Sequence, residues 1–238
     1  MTKFPPPEIY ESFYRITSWG LLMQKLIELI TDNAPKNANV LDLMCGTGYF
    51  LNNISKKRND LHCEGVDLNS EFIEYAQAKK IEYESSAAFK IGNVLKWESD
   101  KKYDIIVCSG GTHHLRGENK NIFFNKIIGH LDEKGTAIIA DPYIADYTDE
   151  MERKLASAEL GYEYIKYAIK RHASDKELEA VINILYNDIF DYEHKTSINK
   201  ILKIVRQHFN SIDTTKVWGM DNIEMGDYYL VCKKALKP

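Results

Sequence analysis

Asp42, Gly46 and Gly48 fall within the single stretch VLDLMCGTGYF (40–50), and Asp67 follows 19 residues beyond Gly48. An apolar strand that ends on a carboxylate and turns through two glycines lets backbone approach a ligand closely. The helix that follows presents free N–H groups to the same place. A carboxylate ending the next strand is placed to accept hydrogen bonds from ribose hydroxyls. A dinucleotide would need a third glycine, so that its pyrophosphate can rest on the helix N-terminus. The loop lacks that glycine, and no cation nearby suggests a phosphate partner. Asp42 suits instead a ligand with an ammonium group and no phosphate. Two neighbouring histidines, His113 and His114 in VCSGGTHHLRGEN (107–119), leave another strand at the same edge. Imidazoles there can handle a proton near neutral pH, or simply shape the loop.

The elements that must position these groups can be read from periodicity. EIYESFYRITSWGLLMQKLIELITDN (8–33) has apolar residues at three- and four-residue spacing and predicts one or two amphipathic helices. ANVLDLM, LHCEGVDL, part of AAFKIGNVLKW, KYDIIVCSGG and TAIIADPY predict five strands, alternating with helical segments. Such alternation implies a parallel sheet covered on both faces. Residues 146–194 break it, being almost wholly helical by spacing and holding six tyrosines, Tyr147, Tyr162, Tyr164, Tyr167, Tyr186 and Tyr192. SINKILKIVRQHF restores a covering helix, and TTKVWGM and DYYLVCKKA predict a closing hairpin. Asn69 or Ser70 is the expected cap of the helix after the second strand. Tyr10, Tyr14 and Ser18 share one face if 8–22 is helical, and Trp19 is expected in the core. The run DEMERK reads as a solvated helix face.

The chain has 238 residues, 44% of them hydrophobic, and a formal charge of −4. That is enough for one domain with a sizeable core, and too acidic for a long nucleic acid, which needs a basic face. No apolar stretch approaches the roughly 20 residues that cross a bilayer, and MTKFPPPEIY resembles no signal peptide, so a cytoplasmic protein is expected. Cys45, Cys63, Cys108 and Cys232 form no CxxC pair and sit in apolar runs, which predicts reduced, buried thiols. The histidines show no spacing that suggests a metal site, and none is expected.

With these residues in view, the sequence resembles the class I S-adenosylmethionine (SAM)-dependent methyltransferases of small-molecule type. Asp42, Gly46 and Gly48 match the family's DxGxGxG loop, while Met44 replaces its first glycine. The resemblance covers most of 38–142 and the ending at 197–235. It implies a Rossmann-like, seven-stranded, mostly parallel α/β sheet with an antiparallel last strand, and SAM as cofactor. It places Asp67 and Leu68 at the ribose and Asn93 and Val94 by the adenine, where the family usually has Gly-Asp. Met44 and Ser109 join the cofactor loop. Tyr14, on an N-terminal helical cap (8–30), would touch the methionine end of SAM. In some sugar O-methyltransferases the first of two such histidines is the base and pairs with an Asp at the end of the fifth strand. The resemblance therefore implies His113 as base, with His114 as the rival, and Asp141 as its partner. Asp141-Pro142-Tyr143 follows the fifth strand, so it reads as a strand exit and not as the DPPY-type motif of amino-methyltransferases.

The whole of 1–238 is expected to form one SAM-binding domain, with 146–194 inserted as a helical lid, or as a dimer interface. The expected reaction is methyl transfer to oxygen or nitrogen of a small molecule, by a monomer or homodimer. Two alternatives remain open: attack on the aminocarboxypropyl arm or its cyclisation, releasing methylthioadenosine, and a non-catalytic SAM-binding partner protein.

Overall fold

The computed structural model describes residues 4–190, 193–221 and 224–235. Tyr192, one of the tyrosines noted above, lies outside the described residues. Seven strands form one sheet: β1 (Asn39–Leu43), β2 (His62–Asp67), β3 (Ala88–Ile91), β4 (Tyr103–Ser109), β5 (Leu131–Tyr143), β6 (Phe209–Gly219) and β7 (Gly226–Ala235). Their order is β3-β2-β1-β4-β5-β7-β6. Strand β7 runs antiparallel to both β5 and β6, as the expected hairpin requires. The chain order reverses beside β1, which pairs with β2 on one side and β4 on the other. That is where an open α/β sheet leaves a crevice at its carboxyl edge.

Side-chain alternation along β1 sorts the interior into two cores. Val40 packs with Leu26 and Ile30 of α2 (Trp19–Asn33), Leu51 and Ile54 of α3 (Tyr49–Lys57), and Ala76 of α4 (Ser70–Tyr83). Leu41 and Leu43 pack on the other face with Phe123, Phe124 and Ile127 of α5 (Glu118–His130). Ile201 and Val205 of α8 (Ile198–Val205) join that second core. Asn69 caps α4, its side chain accepting from the amides of Glu71 and Phe72. The four cysteines are free and buried. No helix among the described residues is long and apolar enough to cross a membrane.

The N-terminal segment is two helices, α1 (Pro7–Ile16) and α2, and not one. Pro7 starts α1 where its missing N–H costs nothing. Thr17 ends it in extended backbone, its hydroxyl donating to the Phe13 carbonyl at 2.7 Å. Ser18 consequently leaves the face of Tyr10 and Tyr14, and its hydroxyl donates to Asp227 on β7 at 2.6 Å. The face shared by all three residues does not form; only the two tyrosines keep it.

Helices α6 (Glu150–Lys170) and α7 (Asp175–Ile189) occupy most of the segment that breaks the alternation. Asp149 caps α6, and Ser174 with Glu177 forms a capping box at α7. Gly161 lets the pair close tightly, since a Cβ there would lie 2.6 Å from Leu185. Phe13 and Ile16 of α1 pack against Ala168, Ala180 and Val181, joining cap and hairpin in one small core. The run DEMERK is only partly solvated. Arg153 is buried and binds both the Glu150 carboxylate and the Asp188 carbonyl.

Candidate active site

At the end of β1 the chain makes a left-handed turn at Met44 (φ 63°), then again at Gly46 (φ 53°) and Gly48 (φ 73°). Met44 thus holds, with a side chain, a conformation that glycine adopts freely. Two hydrogen bonds support it, from the amides of Met44 and Cys45 to the Val66 carbonyl, at 2.8 and 3.1 Å. Gly48 is needed for space as well, because a Cβ would fall 2.7 Å from both Ala76 and Phe89. The Gly46 amide donates to Asp67 Oδ2 at 2.8 Å and the Asn69 amide to Oδ1 at 2.8 Å. Burial nevertheless raises the Asp67 carboxyl above its ordinary range.

Asp42 is almost wholly buried, and its Oδ1 has no hydrogen-bond partner. Burial, reinforced by the charge of Asp67, pushes its carboxyl well above the usual carboxylate range. An orphaned buried oxygen of this kind is costly, and an ammonium group would satisfy it. The residues present therefore fit the methionine end of SAM. Tyr10 and Tyr14 of α1 cover this loop: Tyr14 stacks on Tyr49 at 4.1 Å, and Tyr10 reaches to within 3.8 Å of a Cβ position at Gly46. Leu68 is exposed beside Asp67, and Ser109 is half-buried at the end of β4. Val94 packs in the second core. The Asn93 side-chain oxygen accepts from the Leu95 amide at 2.9 Å, so it closes its own turn.

The second half of the site lies across the edge. Gly110 (φ 67°) lifts the chain off β4 into a 3₁₀ turn, Thr112–His114. Ser109 pairs with Ala140, which sets Asp141 directly under that turn. Asp141 Oδ1 lies 2.6 Å from His113 Nδ1; Oδ2 accepts from the His113 amide at 3.0 Å and from the Thr112 hydroxyl. Burial opposes ionisation of Asp141, yet the charge and hydrogen bond of His113 hold its carboxyl below the ordinary range. Lys120 of α5 steadies the turn from beneath, donating to the carbonyls of Thr112 and Leu115.

On its other side His113 Nε2 meets Glu193 Oε2 at 3.3 Å. Glu193 lies between α7 and α8 and is 5% exposed. The His194 amide bonds the His113 carbonyl at 2.9 Å, fastening this segment to the turn. Lys195 Nζ lies 2.7 and 2.6 Å from the two oxygens of Asp188 and 3.6 Å from Glu193. Burial alone would keep His113 neutral, but Asp141 and Glu193 raise its pKa to about 9. His114, its ring centroid 4.1 Å away, is pushed down to about 3 by burial and the His113 charge. His113, His114 and Glu193 also come close enough together to ligate a cation, a grouping that sequence spacing did not suggest.

These groups open onto a cavity between α1, the Gly110 turn and the inner side of α6 and α7. Its lining includes Tyr10, Phe13, Tyr14, Trp19, Tyr164 and Lys195. Trp19, expected in the core, is half-buried and stands against Gly110. Tyr164 donates to Asp227, the acid that also holds Ser18. Sequence reasoning found His113, His114 and Asp141, and the structure brings them together. It missed Glu193, Lys195, Asp188 and Lys120, whose partners lie on other elements and leave no local pattern.

The seven-stranded sheet with its antiparallel last strand, the glycine loop after β1 and the acid ending β2 define a SAM-dependent methyltransferase fold. A family model described as a methyltransferase domain matches residues 34–208, and the chain belongs to that family. It is an enzyme of this class and SAM is its cofactor. Among curated proteins it is similar to the carboxy-S-adenosyl-L-methionine synthase of Campylobacter lari, with 27% identity over 180 residues, 71% of this chain and 76% of that one. The corresponding protein of Campylobacter jejuni subsp. doylei is 25% identical over 209 residues, 87% and 82% of the two chains. Among solved structures, the N-methyltransferase NodS from Bradyrhizobium japonicum WM9, in complex with S-adenosyl-L-homocysteine, shares the fold. Its TM-score is 0.59 at 11% identity, covering 91% of this chain and 86% of that one.

Proposed function

We propose that this enzyme transfers the SAM methyl group to an oxygen or nitrogen of a small molecule bound between α1 and the α6–α7 hairpin. The observation that carries the reading is His113, oriented by Asp141 and turned toward an aromatic-lined cavity one strand from the glycine loop. When bound, SAM supplies a methyl carbon already activated by its sulfonium. Asp42 would receive the ammonium group, Asp67 the ribose hydroxyls with Leu68 beside it, and the backbone at Met44, Gly46 and Gly48 would lie against the ligand. Tyr14 and Ser109 would bound the methionine end. What remains for the protein is to align the acceptor, exclude water and remove its proton.

His113 is an imidazolium at neutral pH while Glu193 occupies Nε2. An acceptor that enters beside Nε2 displaces Glu193 and removes one of the two carboxylates that favour the charged ring, so that Nε2 gives up its proton to solvent and becomes basic. Asp141 keeps the ring oriented and steadies the imidazolium that forms again. Helices α6 and α7 act as the lid, and the fully paired His113 is the resting state.

A second reading follows the relatives' names: the enzyme modifies SAM itself, leaving a carboxylated SAM. Product analysis decides. Purified enzyme, SAM and small-molecule cell extract should yield S-adenosylhomocysteine together with a methylated compound. Carboxylated SAM as the main product would favour the second reading, and methylthioadenosine would favour attack on the propyl arm; either sinks the proposal.

A further inference from the structure

We infer that the outer face of the α6–α7 hairpin pairs with the same face of a second copy of this chain, forming a two-fold dimer. The inference does not depend on the methyl-transfer reading. It starts from where the apolar surface lies. Among the described residues twelve large hydrophobic side chains are exposed, and seven of them crowd onto this one hairpin. Met151, Leu155, Tyr162 and Ile169 belong to α6; Ile182 and Tyr186 belong to α7, and Phe190 follows it directly. At the helical repeat the four on α6 fall within about 40° of one another, away from its buried Ala156, Leu160 and Ala168. Ile182, Tyr186 and Phe190 recur every four residues on one side of α7, where Tyr186 stacks on Phe190 at 4.4 Å.

Together they expose on the order of 700 Å² of largely apolar surface, above the roughly 300–600 Å² of the largest patch on a typical monomer. That is close to the ~800 Å² that each partner contributes to a standard interface. A membrane surface, the other occupant such a face suits, calls for a basic rim. This rim carries both signs: Glu152 and Glu159 toward the start of α6, Lys166 and Lys170 toward its end. A helix edge that runs from acid to base complements itself when its copy lies antiparallel.

The two stripes also share one centre. Gly161 and Leu185 meet where the helices pack, a Cβ at Gly161 falling 2.6 Å from Leu185. The short connection makes α6 and α7 antiparallel, so Leu160 of one is level with Tyr186 of the other. A two-fold axis crossing both helices at that level sets Met151 against Ile169 of the second copy and Leu155 against Ile165. It sets Ala158 against Tyr162 and Ile182 against Phe190, while Tyr186 meets its own counterpart. The steps of four and three that separate Met151, Leu155, Ala158 and Tyr162 are those of a paired-helix seam, and small Ala158 leaves room for the tyrosine ring. The rim agrees. Glu152, which holds Thr148 with one oxygen, falls between Lys170 and Lys166 of the second copy, the latter meeting Glu163 within its own chain. Glu159 alone lies beside its own counterpart, at the solvent edge. The inner side of the hairpin, toward the cavity, takes no part, so pairing and lid are compatible.

Light scattering on the eluted chain at tens of micromolar should give the mass of a dimer. Tyr186→Glu sets two charges face to face at the axis and should return a monomer that still binds S-adenosylhomocysteine. Lys166→Glu with Lys170→Glu should weaken the dimer at least about tenfold, and adding Glu152→Lys should restore most of the loss. A short bis-maleimide should join Tyr186→Cys chains in pairs, since the native cysteines are buried, so the surface is read even where a charge variant fails to fold. A monomeric wild type overturns the inference; if that monomer floats with anionic phospholipid vesicles, the face belongs to a membrane instead. A dimer that survives Tyr186→Glu and yields no Tyr186→Cys cross-link uses another surface, which overturns it as well. A dimer lost with Tyr186→Glu but indifferent to the lysine exchange overturns the antiparallel register.

Discussion

Glu193 Oε2 stands 3.3 Å from His113 Nε2, so the ring that should accept a proton is capped by a carboxylate from the segment after the α6–α7 hairpin. With Asp141 on Nδ1, both ring nitrogens face acids and the imidazolium is the favoured form. Its folded pKa, about 9, lies above the ordinary histidine value of 6.5. A raised pKa means that the native state binds the proton more tightly than the unfolded chain does. The stability it contributes is therefore complete below about pH 6.5 and is lost as pH rises through about 9. Urea melts of the acceptor-free enzyme should show stability falling over that window. His113→Gln should flatten the fall, and an unchanged slope would mean that the ring is not held between the two acids.

Turnover should depend on the same ring. His113→Ala should lower it by roughly 10²–10⁴, the usual range for a general base, while SAM affinity stays nearly unchanged. Asp141→Asn should cost less and shift the pH optimum, because the amide still accepts from the turn but cannot steady an imidazolium. His114→Ala is the control: its half-buried ring packs beside His113, and it is His113 whose ring pairs with Asp141. If His114→Ala loses turnover and His113→Ala does not, the base is one residue further along.

The legible part of this site was the part built from strand ends. Asp42, Asp67 and Asp141 each lie at or within two residues of a strand's carboxyl end, and parallel strands deliver their ends to one edge, so alternation with helices was enough to gather them. His113 follows β4 by a few residues and was carried to the same edge. Glu193 and Lys195 could not be read that way. Their positions depend on how two helices fold back over the sheet, a tertiary packing decision that leaves no periodic trace. Ser18 misled for a related reason: helical spacing continues through it, but Thr17 bonds back to Phe13 and breaks the helix. The expected place of Asn93 beside the adenine rests on its position in the chain; its side-chain oxygen accepts from the Leu95 amide, a turn that the sequence reading did not include.

Cofactor binding should follow the two strand-end acids unequally. Asp67→Ala removes the acceptor for ribose hydroxyls and for the Gly46 amide, and should weaken S-adenosylhomocysteine binding by about 1–3 kcal/mol. Asp42→Asn should weaken it too, because a neutral amide no longer offers a negative charge to the ammonium group, with a smaller effect on the stability of the ligand-free protein, where burial already disfavours the charged carboxylate. Calorimetry and thermal melts read the two effects apart. NAD should show no comparable binding; tighter binding of NAD than of SAM would sink the cofactor assignment.

The α6–α7 hairpin should move with the N-terminal cap. Arg15 of α1 pairs with Glu177 of α7, and Phe13 and Ile16 sit in the same small core as Ala180 and Val181. The hairpin meets the sheet through one small cluster, where Ala156 and Leu160 pack with Ile144 and Met225 and Tyr164 stacks on Trp218 and donates to Asp227, and through the segment carrying Glu193. An element held by so small a cluster opens at a lower free energy than the sheet does. If it closes over the acceptor, an acceptor with S-adenosylhomocysteine should slow hydrogen exchange across 150–189 and across 7–16 together. The strands, already protected by the central cores, should change little. Protection of 150–189 without 7–16 would uncouple cap from hairpin. Identical exchange with and without ligands would make the hairpin plain packing or an interface, a role that exposed Met151, Leu155 and Tyr162 on α6 would suit.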